Sequence, residues 1–472
     1  RFTENGMYEP NFLSLLPSIV AIILAITTRQ VIISLGIGIW LGNVLLNDLN
    51  LFTGMSDGIN NIVGVFTDAS DTRVLLFTLI IGGLISTIER LGGVSGLISY
   101  LNRKTWVDSE AKAQWLAYFT GVFIFIESNI TLLVAGAISR PLFDKFRMSR
   151  EKLAYIIDST SSPICIMIPF NAWGALIIGL SSASNIDNPL LVFIYAVPLN
   201  LYPIIVILFA ACVIAFNIDL GAMKKAQERT KSGRISWSDS GKLGSSEQGV
   251  ERIGQARFMI LPICALLLFM PISLFITGNG NFIEGSGSTS VLWSVLAALA
   301  VCWILALQGN QISLDELMRV FLKGAGDFLP IAVILLFALA LGDVAGALGA
   351  GSYAATLVGD NVNTTLLLPI LFLLSSFIAF SIGSSWGTFA IMIPIALQIA
   401  LELDLQTSLF LAAVLSGSVF GDHSSPISDT TVVASLASGS DHIEHVRTQL
   451  PYALICAVLA TVGFFLLSWL AL

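Results

Sequence analysis

The sequence predicts an all-α polytopic membrane protein made of two inverted repeats, and three observations carry that prediction. Hydrophobic residues make up 55% of the 472-residue chain and charged residues only 11%, against roughly 25% charge in an ordinary soluble domain. Apolar runs of about 17 to 25 residues recur along its length, each long enough to cross a hydrocarbon core ~30 Å thick as a helix. Short motifs also recur in the same order in both halves. Leu91-Gly92-Gly93-Val94-Ser95-Gly96 matches Leu341-Gly342-Asp343-Val344-Ala345-Gly346, Ser128-x-x-Thr131 matches Ser385-x-x-Thr388, and Ser161-Ser162-Pro163-Ile164 matches Ser424-Ser425-Pro426-Ile427.

The first spans fall near 11–28, 30–46 and 73–91. The loop 47–72 holds Asp48, Asp57, Asp68 and Asp71 with no Lys or Arg, so it should face outward. The stretch 113–140 is too long for one crossing and is interrupted by Glu127-Ser128-Asn129. Spans near 153–180 and 189–216 follow. The loop 217–256 carries Lys224, Lys225, Arg229, Lys231, Arg234, Lys242 and Arg252, which places it in the cytoplasm and marks it as the linker between a first repeat, 1–216, and a second, 257–472. In the second repeat, spans near 257–276, 289–307 and 321–349 precede another overlong stretch, 363–400, interrupted by Gly383-Ser384-Ser385; spans near 407–436 and 449–471 close the chain.

Walking from the two anchored loops, both ends of 113–140 come out cytoplasmic and both ends of 363–400 come out external. Each is therefore expected to be a re-entrant hairpin, giving about five spans and one hairpin per repeat. An odd number of crossings inverts the second repeat, the plan of a secondary transporter with its site at the midplane. The runs 153–180 and 407–436 should be broken helices there, because Pro163 and Pro426 each remove a donor and clash with the carbonyl four residues back. Irregular backbone at that depth is tolerated only where it is buried in protein or lines a cavity.

The stretch GDHSSPISDTT (421–431) puts two aspartates, a histidine, a proline and five hydroxyls at membrane depth. With GSSWGT (383–388) and TQLPYAL (448–454), it resembles the NhaC-type sodium/proton antiporter family. The resemblance implies exchange of Na⁺ for H⁺ in a multi-pass protein of the bacterial cytoplasmic membrane, and a homodimer. Some relatives of that group exchange organic acids or amino acids instead.

A carboxylate at the bilayer centre costs at least ~2.5 kcal/mol and is retained for function. Asp422, Asp429, Asp158 and Glu127 are therefore the candidate ion- and proton-binding acids. His423 joins them because an imidazole changes charge near neutral pH. Ser128, Asn129, Thr131, Ser161, Ser162, Ser384, Ser385, Thr388, Ser424, Ser425 and Thr430 are candidate oxygen ligands, with Na⁺ placed at Asp422, Ser424, Ser385 and Thr388. Glu127 has a second reading as a cap of the first hairpin tip, and Trp173 and Trp386 read as bulk packing near the two breaks. His442 and His445 sit with Asp441, Glu444 and Arg447 in what reads as a solvated loop, with pH sensing as the sharper alternative.

The lysines and arginines fall at span ends or in loops, leaving an interior of acids, so a cation is the expected guest. The function expected is Na⁺/H⁺ antiport by alternating access; the alternative is a Na⁺- or H⁺-coupled carrier of a small organic acid or amino acid. The net charge of −8 argues against a nucleic-acid partner. No nucleophile elbow accompanies the serines, so an enzyme is not expected. The five cysteines lie in apolar runs as packing residues, and no cofactor is expected beyond Na⁺ as transported or coupling ion.

Overall fold

A computed structural model describes residues 8–28, 30–103, 107–125, 127–169, 171–184, 186, 188–234, 254–281, 284–308, 312–350, 352–353, 356 and 364–471. Lys242 and Arg252 of the loop 217–256, and Lys104 and Asp360 near the ends of the two overlong stretches, lie outside these residues. The regular structure of the described residues is all helical, with no β-strand among them.

In chain order the helices are α1 (Leu16–Thr28), α2 (Val31–Leu46), α3 (Leu51–Gly64), α4 (Ala69–Arg90), α5 (Gly93–Arg103), α6 (Glu110–Phe123), α7 (Ser128–Lys145), α8 (Arg150–Thr160), α9 (Ser162–Cys165), α10 (Ala172–Ser182), α11 (Pro189–Ala196), α12 (Leu201–Ala215) and α13 (Gly221–Lys231). After the linker come α14 (Arg257–Thr277), α15 (Gly287–Gln308), α16 (Leu314–Asp327), α17 (Leu329–Ala347), α18 (Leu367–Ile382), α19 (Ser385–Glu402), α20 (Thr407–Ser424), α21 (Asp429–Ser438) and α22 (His442–Ala471). Side-chain oxygens open many of them. Asp68, Ser109, Ser149, Asn171, Ser313, Ser384 and Ser428 each accept from a free amide of the first turn.

By length and composition, seven of these helices can cross a membrane, or eight if the pair Pro189–Leu199 and Leu201–Ala215, bent by 42° at Asn200, is one span. Two of the seven, α18 and α19, come from the stretch 363–400 that was expected to be a re-entrant hairpin, and each is long and apolar enough to cross; of the ten expected spans, five hold such a helix, or six with the bent pair. The difference has a physical source: α1, α2 and α10 are short, and the runs 153–180 and 407–436 are cut by their own breaks. The expected span 321–349 is two helices meeting at Phe328, whereas 449–471 belongs to a 30-residue helix that begins earlier, at His442.

Burial sorts the helices into an outer and an inner set. Only 33% of the apolar window of α14 or α22 is buried, against 67% for α4 or α19. The outward faces present Leu268, Phe269, Trp469 and Leu470, which suit lipid. At the centre, α8 is buried from Glu151 to Thr160 and α20 is buried along nearly its whole length.

The two overlong stretches break where the polar residues stand. In the first, α6 and α7 flank residues 124–127; in the second, α18 ends at Ile382 and α19 starts at Ser385. Gly383 makes that tip, with φ +74°, and a Cβ there would lie 2.7 Å from the Ile427 carbonyl oxygen. Gly383→Ala combines left-handed strain with that clash. It is expected to lower stability by about 1–2 kcal/mol, read as a fall in Tm in detergent; an unchanged Tm would contradict the tip geometry.

One end of the molecule carries a layer of ion pairs. The polar helix α13 folds back on the start of α8, burying Met223 and Ala226. Arg229 grips Glu151 through two bonds of 3.0 Å, and Lys152 lies 2.9 Å from Asp219. Arg150 forks onto Asp144 and donates to the carbonyl of Gly439, at the end of α21. Burial of these charges is tolerated because each has a counter-charge.

Candidate functional site

Residue order explains where α20 stops. Ser425 precedes Pro426, and a residue before proline is pushed out of the helical region; Ser425 is extended at φ −80°, ψ 131°. The chain then runs unwound to Ser428, which caps α21. In the matching segment of the first half, the break falls at Ser161, and Pro163 opens the one-turn helix α9 instead of following the unwound residue.

Asp422 sits just before the break in α20, 1% exposed. Its Oδ2 accepts from the Ser385 hydroxyl at 2.8 Å and its Oδ1 from the Ser428 hydroxyl at 2.5 Å. Behind Ser428, the Thr430 hydroxyl lies 3.0 Å away. Ser385 comes from the first turn of α19 at the second tip, so the cradle joins that tip to the break. Among the described residues, no lysine or arginine pairs with Asp422.

Asp158, fully buried on α8, has different company. Its Oδ2 accepts from the Gln449 amide at 2.7 Å, and its Oδ1 is buried without a hydrogen-bond partner among the described residues. The imidazoles of His445 and His423 stand 3.8 and 4.0 Å from Oδ2. His423 itself is held by the Tyr202 hydroxyl at 2.8 Å and the Ser159 hydroxyl at 3.3 Å. Gln449 donates to the His423 carbonyl as well, at 2.6 Å, so one amide ties both broken helices to α22.

The remaining candidates divide between cradle and framework. Glu127 caps α7, accepting from the Ile130 amide at 3.0 Å and the Ser128 hydroxyl at 3.2 Å, which is its capping reading. Thr131 donates to the carbonyls of Ile124 and Glu127, closing the first tip. Thr388 does the equivalent at the second tip, donating to Ser384. Ser384 accepts from Gly387, Ser424 donates to Phe420, Ser425 to Phe380 and Ser161 to the Asp158 carbonyl. Of the four residues assigned to Na⁺, the structure therefore brings Ser385 onto Asp422, while Ser424 and Thr388 spend their protons on helix carbonyls. Asn129 Oδ1 and Ser162 Oγ are buried without a hydrogen-bond partner. Asp429 is exposed and accepts from the Thr430 amide. Trp173 and Trp386 pack together, ring centroids 5.4 Å apart.

Several site residues escaped sequence reasoning. Ser428 was one hydroxyl among five in its stretch. Gln449 lay in TQLPYAL without a charge to flag it. His445 was placed in a solvated loop, but it is 0% exposed, because α22 starts seven residues before the apolar run that marked the span. Its charged neighbours Glu444 and Arg447 face the other side of the helix, so an i, i+4 reading from His445 to Gln449 would have found it.

A buried acid held by hydroxyls between interrupted helices, inside an all-helical membrane body, defines a secondary transporter. The model of the Na⁺/H⁺ antiporter family matches residues 164–469, and the chain belongs to that family. It is 32% identical over 480 residues to an uncharacterized protein of Haemophilus influenzae, covering 97% of this chain and 91% of the relative. It is 35% identical over 180 residues to the malate-2H(+)/Na(+)-lactate antiporter of Bacillus subtilis, covering 35% of this chain and 37% of the relative. To the arginine/ornithine antiporter ArcD of Halobacterium salinarum it is 28% identical over 224 residues, 46% of this chain and 42% of the relative. The protein is thus a multi-pass secondary antiporter. Its fold is similar to that of the Alcanivorax borkumensis YdaH transporter, with TM-score 0.58 and 15% identity over 88% of each chain. The same holds for Neisseria gonorrhoeae MtrF, with TM-score 0.57 and 13% identity over 88% of this chain and 84% of that one.

Proposed function

We propose that the protein exchanges Na⁺ for H⁺, with Asp422, Ser385 and Ser428 forming the Na⁺ cradle. The observation that carries this reading is the Asp422 carboxylate, 1% exposed and bonded by hydroxyls on both oxygens without a fixed cation. Hydroxyl oxygens and a carboxylate are hard donors, the kind a small hard cation takes. An ionised acid at this depth is expensive to leave unpaired. Na⁺ or a proton neutralises it, and the two compete for one position. Occupancy by either lets the site pass between sides, which is the condition for obligatory exchange.

We take 1–216 and 257–472 as inverted repeats whose tips and broken helices move against the remainder. Matching local bonds support this. The threonine of each tip donates to the residue four back, Thr131 to Glu127 and Thr388 to Ser384. The serine at each break donates its amide to the backbone carbonyl of the aspartate three residues back, Ser161 to Asp158 and Ser425 to Asp422. With α13 and the linker in the cytoplasm, Ser232→Cys in a background without native cysteines is expected to react with an impermeant maleimide only from the inner face. Labelling from outside would reverse the topology.

The names of the Bacillus subtilis and Halobacterium salinarum relatives favour a second reading, exchange of an organic acid or amino acid. Purified protein in liposomes with a trapped pH dye and an imposed proton gradient separates the two. Dissipation on adding Na⁺ alone supports Na⁺/H⁺ exchange. Silence with Na⁺ but a response to malate, lactate, arginine or ornithine transfers the cradle to a coupling ion.

A further inference from the structure

A chain of polar groups runs from Asp158 toward the end of the molecule marked by Arg150 and Gly439. His445 Nε2 stands 3.8 Å from Asp158 Oδ2, His445 Nδ1 lies 2.8 Å from the Ser435 hydroxyl, and His442 Nδ1 lies 3.1 Å from that same hydroxyl. His442 Nε2 is 2.6 Å from the carbonyl of Pro426, in the unwound segment beside the cradle. His445 is fully buried, whereas His442 is half-buried.

Hydrogen counting makes this chain informative. The Gln449 amide nitrogen donates to Asp158 and to the His423 carbonyl, so its Oε1 faces His445 Nε2, at 2.9 Å. An amide oxygen only accepts, so His445 Nε2 carries its hydrogen. The Pro426 carbonyl only accepts, so His442 Nε2 carries its hydrogen too. In neutral rings both Nδ1 atoms are then bare acceptors, and both face Ser435 Oγ. That hydroxyl also lies 2.8 Å from the Thr431 carbonyl. One hydroxyl hydrogen cannot serve three acceptors. The Thr431 carbonyl is already met by a helix amide, so the count closes when one imidazole is protonated at Nδ1 and donates to Ser435 Oγ, leaving the hydroxyl hydrogen for the other Nδ1.

We propose that His442, Ser435 and His445 form a proton relay that holds one proton beyond the neutral count and delivers it to Asp158. This deepens the exchange reading, and it rests on that reading for its role in transport: Asp158 is where the relayed proton waits, and Asp422 remains the position for which Na⁺ and the proton compete. The transfer balances step by step. His442 Nδ1–H passes to Ser435 Oγ as the Ser435 hydrogen passes to His445 Nδ1, and His445 Nε2–H then passes to Asp158 Oδ2. One bond to hydrogen breaks and one forms at each step, and no group is oxidised or reduced. Closing the 3.8 Å gap to Asp158 is the movement that gates delivery. The titratable groups facing the relay are Asp158 on α8, His423 on α20 and Asp429 on α21; on its own helix Glu444 and Arg447 pair with each other on the opposite face, and Asp441 in the turn before accepts from the Glu444 amide.

Ser435→Ala removes the linking hydroxyl and leaves both histidines in place. It is expected to cut Na⁺-driven proton flux in liposomes about 100-fold, the scale of losing one positioned proton-transfer group. Na⁺ binding measured by calorimetry should stay unchanged, and Ser435→Thr should restore flux. Wild-type flux and pH profile in both Ser435→Ala and His442→Gln would overturn the relay. If the wild-type protein itself shows no Na⁺-driven flux, the exchange reading fails and the relay is judged separately by ¹⁵N NMR of the histidine rings, assigned with His442→Gln and His445→Gln. A protonated ring at one of the two positions near neutral pH supports it. Two neutral rings with hydrogen on Nε2 from about pH 5 to 8 would overturn it.

Discussion

Asp422→Asn is expected to abolish coupled exchange while the protein still folds. The amide keeps the shape of the carboxyl, and the hydroxyls of Ser385 and Ser428, each able to donate or accept, can turn to meet it. Removing a buried charge that has no cationic partner among the described residues relieves desolvation, so stability should hold or rise. What disappears is the only charge in the cradle. A neutral amide neither attracts Na⁺ through short-range Coulomb energy nor takes up a proton in its place. The measurements are Na⁺-driven proton flux in liposomes, Na⁺ binding by calorimetry, and Tm with size exclusion as the folding control. Wild-type flux in a folded Asp422→Asn protein would remove Asp422 from the mechanism.

Gln449→Leu should produce the largest loss of stability among substitutions at the site. The amide serves three buried groups at once: it donates to Asp158 and to the His423 carbonyl, and it accepts from His445. Leucine is of similar size, so packing survives while all three lose a partner. Each buried polar group left unpaired costs about 1–3 kcal/mol, and the charged one costs most. The sum is not additive, but a loss on the order of 3–5 kcal/mol is expected. In Gln449→Glu the acceptor for His445 survives and the two donated bonds are lost, with a second negative charge set against Asp158. If denaturation in detergent leaves Gln449→Leu within 1 kcal/mol of wild type, roughly one ordinary hydrogen bond, the amide is not the tie between α8, α20 and α22.

Much of this was legible in the sequence, and the reasons differ by element. Composition and run length suffice for membrane helices, because lipid imposes one apolar period on every crossing helix. The breaks at Glu127-Ser128-Asn129, Gly383-Ser384-Ser385 and Ser425-Pro426 were visible because polar or helix-breaking residues interrupt apolar runs. Asp422 and Asp158 stood out for the same reason. Pairing was not legible. Ser385 and Ser428 meet at Asp422 from 37 residues upstream and six downstream, and nothing local distinguishes them from Ser424 or Thr388, whose hydroxyls turn back onto their own helices. The first half misled by symmetry. Ser128 holds the position matching Ser385, yet it bonds Glu127 and leaves Asp158 to Gln449 and two histidines. His445 was hidden because polar residues continue a membrane helix beyond its apolar run, and hydropathy ends where the helix does not.

The packing of Trp173 on α10 against Trp386 on α19 has an optical consequence. The two indoles belong to opposite halves of the chain and stand beside the two breaks, centroids 5.4 Å apart and planes tilted by 59°. Indoles this close share their excited state, and the resulting signal in near-ultraviolet circular dichroism depends steeply on their separation and angle. Any motion that slides α10 past the second tip changes both. The protein therefore carries its own gauge at the joint between its halves, readable in unlabelled molecules as ions are added.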